Sequence, residues 1–418
     1  MRQYYDPRSL WILTGVAVRI GQRIGLHRDG ASLELPLFEV EMRRRLWWQI
    51  VLLDSRTAEL SGSGTSVLAH LWDTKLPLNV NDCDLNSDIG QLPVEHTGIT
   101  EMVFCLLRYE FGEFLRHSSS TSAFDGSWQK LSSTAVPLAD KDRAIDELER
   151  LLKHKFLRYC NPLIPLHFLS ATVARSAICK MRLVAHHPRQ YPDRGARMPQ
   201  KEKDMLFSNS LKMIEYDNLV QSTESTQRFL WHVNVHFQLD AFVYMLGELR
   251  HRTAGDLADR AWWQVNEVFE HHPEMITETK NALFVAIGHL TIKAWEAREA
   301  EFARQHQSPP EVAPPHFISM LCFQRMTTNA AQATTPLASN ASVIRPAEYK
   351  AGERQVKDPH QSDESLPGDI SSGLDPPLLS DSLPVDFSPM DWAYWDDLLQ
   401  GCELHAVDGS GQHTFDQN

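Results

Sequence analysis

No stretch of this 418-residue chain approaches the roughly 18 consecutive apolar residues that a membrane-crossing helix needs. The opening Met1-Arg2-Gln3-Tyr4-Tyr5-Asp6-Pro7 lacks the apolar core of a secretory signal, so a cytosolic or nuclear protein is expected, with no membrane partner. Cysteine is sparse. The six thiols (Cys83, Cys105, Cys160, Cys179, Cys322 and Cys402) lie far apart, and no two share the Cys-x2-Cys spacing of a zinc or redox site. Dispersed thiols suit a reducing compartment, where most act as small apolar residues. Neither a disulfide frame nor a cofactor site is expected from these residues.

Basic excess is also missing. The net charge is −13, and thirteen acidic residues, with no Lys or Arg, lie between Asp358 and the C-terminus. Residues 1–357 therefore hold 41 acidic and 41 basic side chains and are formally neutral. Phosphate neutralisation by the body is excluded, so DNA is expected only through a missing module or a partner. An acidic tail on a neutral body reads instead as an interaction segment.

Catalytic signatures are scarce as well. His27-Arg28-Asp29 resembles a kinase catalytic loop, but Gly30 follows and the remaining kinase motifs are absent. Ser61 to Gly64 lacks the Gly-Lys-Ser/Thr that holds phosphates, and Gly-x-Ser-x-Gly does not occur. His232 and His236 share a helix face, with Asp240 one turn on. Their neighbours Trp231, Phe237 and Phe242 favour a packing role over a metal site. His186-His187 and His271-His272 precede prolines, where they suit the carbonyls at helix ends. No enzyme is expected.

What is present is helical periodicity, through nearly all of residues 8–300. Leu10, Leu13, Ala17, Ile20 and Ile24 form one stripe. Leu46, Ile50, Leu53 and Thr57 form another, in a helix over about 39–59. Ile145, Leu148, Leu152 and Phe156 mark a third, with Asp140 as its N-cap. Helices are predicted over 165–186, 201–220, 228–251, 256–271 and 275–304, separated by polar stretches near 61–64, 77–93, 118–133 and 187–199. The fold class is all-α: a multi-helix domain over 1–305, then a disordered Pro/Ser-rich linker over 306–380. Within that linker, the patch Phe317 to Phe323 could dock as a last segment.

Residues 381–405 read as an acidic activation segment, with a disordered end over 406–418. Ser388 suits an N-cap, Pro389 the first helical position and Gly401 the C′ position, while Asp391 completes a capping box. Trp392, Trp395 and Leu399 fall on one face, flanked by Tyr394 and Leu398, with Phe387 and Met390 beside them. A helix of about twelve residues is marginal alone and gains order by laying its apolar face in a groove. That groove belongs either to a coactivator or the general transcription machinery, or to the chain's own body.

Four motifs then follow one another in order: Gly25-Leu26-His27-Arg28-Asp29; Phe38 with Glu41-Met42-Arg43-Arg44-Arg45-Leu46-Trp47-Trp48; Asp54; and Leu76-Pro77-Leu78-Asn79-Val80-Asn81-Asp82-Cys83-Asp84-Leu85. Together they resemble the fungal-specific transcription factor domain, the middle homology region of binuclear zinc cluster regulators. Asn161 to Leu166 and Met181-Arg182-Leu183 extend the likeness over about residues 8–300. The resemblance implies an all-helical regulatory domain in a nuclear activator or, occasionally, a repressor. It also implies an N-terminal six-cysteine cluster binding two zinc ions and a dimerising coiled coil. Neither stands in this sequence, which is expected to be N-terminally truncated, so zinc and DNA binding belong to the family and not to these residues. The alternative is a DNA-less interaction protein that dimerises with a full-length relative and titrates it.

The motif residues also read as structural. Arg43, Arg44 and Arg45 point three ways around one turn, and at least one can reach an acid such as Asp29 or Asp82. Trp47 and Trp48 supply core area and need acceptors for their indoles. Pro77, Asn79, Asn81 and Asp82 form a turn closed by side-chain bonds to backbone. The other reading places the same residues around a ligand pocket.

Overall fold

The computed structural model describes residues 7–61, 72–86, 90–91, 93–116, 131–191, 193, 195–234, 237–306 and 314–333. Among them the regular structure is helical throughout, with no strand. The principal helices are α1 (Pro7–Arg23), α2 (Leu37–Ser61), α3 (Val103–Arg116), α4 (Leu138–Lys155) and α5 (Pro165–Ala185). They continue as α6 (Gln200–Ser222), α7 (Leu239–Leu249), α8 (Asp256–His271), α9 (Ala282–His306) and α10 (His316–Ala333). Proline punctuates them. Pro7 and Pro165 open α1 and α5, while Pro36, Pro137, Pro199 and Pro315 stand immediately before α2, α4, α6 and α10. A missing N–H costs nothing in a first turn, where that donor would have no intrahelical partner.

Four predicted details are corrected. Pro137 holds the N-cap of α4, so Asp140 lies in its first turn, ion-paired to Arg143. The helix expected over 228–251 is broken into a single turn, Leu230–Val233, and α7, and that expected over 275–304 into a single turn, Glu274–Thr277, and α9. Helix α10 lies within the range read as linker, and the patch Phe317 to Phe323 is what anchors it. Phe317, Ile318 and Leu321 are buried, with Phe317 stacked on Phe269 at 5.0 Å.

The buried side chains form two principal clusters. One is built around Trp47, Trp48, Leu107, Ile145, Leu148 and Leu152, from α2, α3 and α4. The other gathers α6 to α10 around Phe207, Phe242, Val265, Phe269 and Ile287. Helix α5 serves both, giving Ile178, Met181 and Ala185 to the first and Cys179 and Leu183 to the second.

The first two predicted stripes mark the core only in part. Of the α1 stripe only Leu10 is buried, whereas Leu13, Ile20 and Ile24 are exposed. The face α1 presents to α2 carries Thr14, Val18 and Gly21 instead. A Cβ on Gly21 would meet the Trp47 ring at 3.1 Å, so a larger residue here would press on that ring. In α2, Leu46 and Leu53 of the stripe are exposed while Thr57 is buried and Ile50 half-buried; Val40, Trp47, Trp48 and Ala58 are buried as well. Both helices carry apolar residues nearly all round, so spacing alone cannot say which face packs. The third stripe is fully buried at Ile145, Leu148, Leu152 and Phe156.

Candidate functional site

The recognised motifs converge at the C-terminal end of α1. That helix stops in a Schellman arrangement: Leu26 N–H donates to the Gly21 carbonyl at 2.9 Å and Gly25 N–H to that of Gln22 at 3.1 Å. Gly25 sits at φ +78, a left-handed conformation that glycine adopts without strain. The turn delivers Asp29 beneath α2. There Arg44 grips it bidentately, with Nε and Nη2 each 2.8 Å from a carboxylate oxygen. Both side chains are more than nine-tenths buried. The Asp29 carboxylate also accepts from the backbone N–H of Lys75 at 2.9 Å and of Ala31 at 3.1 Å. Burial alone would raise its pKa. The Arg44 guanidinium and the two backbone donors outweigh burial and hold it below the usual carboxylate value.

Arg45 makes a second clasp, donating to Glu41 at 2.9 Å and to Asp82 at 2.7 Å. Glu41 is fully buried, and both its oxygens accept from Leu78 N–H at 3.2 Å. Here burial wins over Arg45 and the Leu78 amide, and the Glu41 pKa is raised. Arg43 takes the third direction, to Glu39 and the Ile24 carbonyl. The three arginines thus each meet an acid of this chain, where the sequence led us to expect at least one to reach Asp29 or Asp82.

Residues 72–78 form a strap over this centre. Asp73 accepts from Asp29 N–H and pairs with Arg28, while Thr74 donates to the Leu26 carbonyl. The Lys75 carbonyl accepts the Trp48 indole N–H at 2.9 Å. Trp72 packs edge-on against both Trp47 and Trp48, at 6.0 and 5.0 Å. Trp47, in contrast, finds no acceptor for its indole N–H among the described residues, and its ring is tilted against His27 at 6.2 Å. Asp54 lies apart, accepting from Thr14 on α1 at 3.1 Å. Beyond Pro77, Asn79 donates to the carbonyls of His96 and Gly98, and Asn81 accepts from Glu101 N–H. Sequence reasoning named neither Asp73 nor Trp72. A tryptophan and an aspartate just ahead of Leu76-Pro77 were the available signal.

The histidines have other work. His186 caps α5 but bridges Asp142 and Glu202, at 2.8 and 2.5 Å, instead of binding helix carbonyls. His271 faces Asn218 at 3.3 Å. His272 lies between Glu274 at 3.1 Å and Asp217 at 3.8 Å. Burial disfavours its charge, yet the two carboxylates prevail and raise its pKa to about 9. His232 packs edge-on to Phe104 at 5.3 Å, and burial, with Arg108 and Arg56 adding, pushes it down to about 4. His236 lies outside the described residues. So do Phe387, Met390, Trp392, Tyr394, Trp395, Leu398 and Leu399, together with the rest of the acidic segment.

Chemically the clasp is closed. Its carboxylates are committed to arginines and backbone amides, and among the described residues no three His, Cys, Asp or Glu gather to hold a metal. No described helix is long and apolar enough to cross a membrane. The clasp's bonds join the end of α1, α2 and the strap, and residues 1–109, which contain all of it, match the fungal specific transcription factor domain. Similarity to fungal regulators extends well past it. The aurofusarin cluster transcription factor of Gibberella zeae is 34% identical over 99% of this chain and 62% of its own length. The transcriptional regulator AacuB of Aspergillus aculeatus is 31% identical over 89% of the chain and 51% of its own. The pyriculol/pyriculariol biosynthesis cluster transcription factor of Pyricularia oryzae is 32% identical over 71% and 40%. The chain therefore spans about two-fifths to three-fifths of these curated relatives. No solved structure matches it.

Proposed function

We propose that this chain is a transcription regulator of a fungal biosynthesis cluster, acting in the nucleus, and is not an enzyme. The observation that carries this reading is the alignment with the aurofusarin cluster factor, which covers 99% of the chain. The helical body is the regulatory part, and the acidic segment recruits a coactivator or the general transcription machinery. Its aromatics supply the buried contact, and its carboxylates keep it solvated until a groove is offered. DNA is addressed by a zinc-cluster module or by a partner, since the body carries no basic excess. Partnering through a homo- or heterodimer belongs to the same proposal.

The test fuses residues 381–405 to an unrelated DNA-binding domain upstream of a reporter. Intact segment should raise output well above the DNA-binding domain alone. Changing Trp392, Trp395 and Leu399 to Ala should return it to background. Silence from the intact segment would remove the activation reading.

A further inference from the structure

Arg108 is a half-buried guanidinium on α3 that makes no ion pair or hydrogen bond with any described residue. Arg43, Arg44 and Arg45 each hold a carboxylate, as do Arg182, Arg252 and Arg260. Burial lowers the Arg108 pKa, and the Arg56 guanidinium of α2 lowers it further. The groups that oppose them are the Cys105 thiol and the Tyr109 phenol, and no described carboxylate acts on it. Withdrawing an uncompensated charge from water is costly, and such groups cluster where a site uses them.

Aromatic rings surround this charge. The Arg108 guanidinium lies over the Phe104 ring, 5.4 Å from its centroid. His232 meets the same ring edge-on at 5.3 Å, and Trp231 meets His232 edge-on at 5.6 Å. Burial, with Arg108 and Arg56 adding, keeps the His232 imidazole uncharged near neutrality, when one ring nitrogen donates and the other accepts. Phe104 and His232 are half-buried, whereas Trp231 is 76% exposed, so the row runs from the body out to solvent. Beneath it lies a small apolar cluster of Leu169, Val220 and Val233, against which Phe104 packs.

We propose that Arg108, Phe104, His232 and Trp231 form a binding site for a small aromatic anion, a carboxylate carried on a flat ring system. The Arg108 guanidinium takes the carboxylate, its planar fork matching two oxygens. Trp231 offers the exposed indole on which the ring lies, and such tryptophan and arginine anchors dominate recognition sites. An inorganic anion would use Arg108 and leave Trp231 without a role. A neutral ring would leave the guanidinium uncompensated, and a cation would meet Arg56 and Arg108 together. Charge and ring are both required. The site uses no part of the acidic segment, so it stands or falls apart from the activation reading.

The experiment is calorimetric titration of the full chain with 2-naphthoate. Methyl 2-naphthoate serves as the uncharged ring and inorganic phosphate as the anion without a ring. Saturable binding of one 2-naphthoate per chain is expected, at least about tenfold tighter than either control. Arg108→Met should weaken it at least about tenfold, and Trp231→Ala severalfold. The first variant removes a charge with no described partner and the second an exposed ring, so the thermal midpoint should hold in both. Should Arg108→Met fold poorly, Trp231→Ala alone decides. No saturable binding at millimolar probe, binding that either control matches, or binding that a folded variant leaves unchanged would overturn the proposal.

Discussion

Arg28 and Arg44 both pair with aspartates about 3 Å away, yet their surroundings make the two pairs energetically unlike. The Arg28–Asp73 pair is more than half exposed on both sides, where solvent and salt leave such contacts about 0–1 kcal/mol. Arg44→Ala would strand Asp29 in a site more than nine-tenths buried, which costs about 3–5 kcal/mol. Urea unfolding of the two alanine variants should separate them by that margin, and equal losses would refute the clasp as a stability centre. His272 makes a pH prediction. Its folded pKa of about 9 lies above the unfolded value near 6.5. Its contribution is therefore complete below about 6.5 and is lost as pH rises through about 9. Unfolding midpoints measured from pH 6 to 10 should fall more steeply for the natural protein than for His272→Gln. Parallel curves would show that the histidine is not held charged.

At the level of elements, α10 tests how apolar contacts decide what is body and what is tether. Phe317→Ala removes the ring stacked on Phe269 and should cost about 3–5 kcal/mol. Phe323→Ala, at a position 67% exposed, should stay within about 0.5 kcal/mol. Hydrogen exchange along α10 should accelerate only in the first variant. This helix was partly legible, because Phe317 to Phe323 stands out from a polar stretch, while the composition around it reads as linker. Helices α4, α5 and α8 were legible to within a few residues, since their apolar spacing and bounding prolines agree. The packing faces of α1 and α2 were not. When both sides of a helix are apolar, a threonine and a glycine can mark the buried one, as Thr14 and Gly21 do. The clasp was legible in part: Asp29 and Asp82 stood as candidate acids for at least one of Arg43, Arg44 and Arg45, but which arginine meets which acid was not. The strap was not, because its bonds run largely through backbone that no sequence pattern advertises.

Across the helical body, the sharing of α5 between two clusters predicts mechanical unity. Leu183 belongs to one and Met181, two residues earlier, to the other. Truncating either to Ala should destabilise by about 2–5 kcal/mol. Exchange should then quicken in α4 and in α7 together, because α5 contributes side chains to the cluster that each of them joins. Acceleration confined to one side would mean that the halves open independently. The same sharing bears on how such a chain can diverge. A surface helix can drift on its wet face while one side stays fixed, but α5 answers to neighbours on both. Among descendants of a common ancestor, surface loops are free to follow new partners. The stretch from Pro165 to Ala185 should change slowest, as the hinge pin around which everything else is allowed to vary.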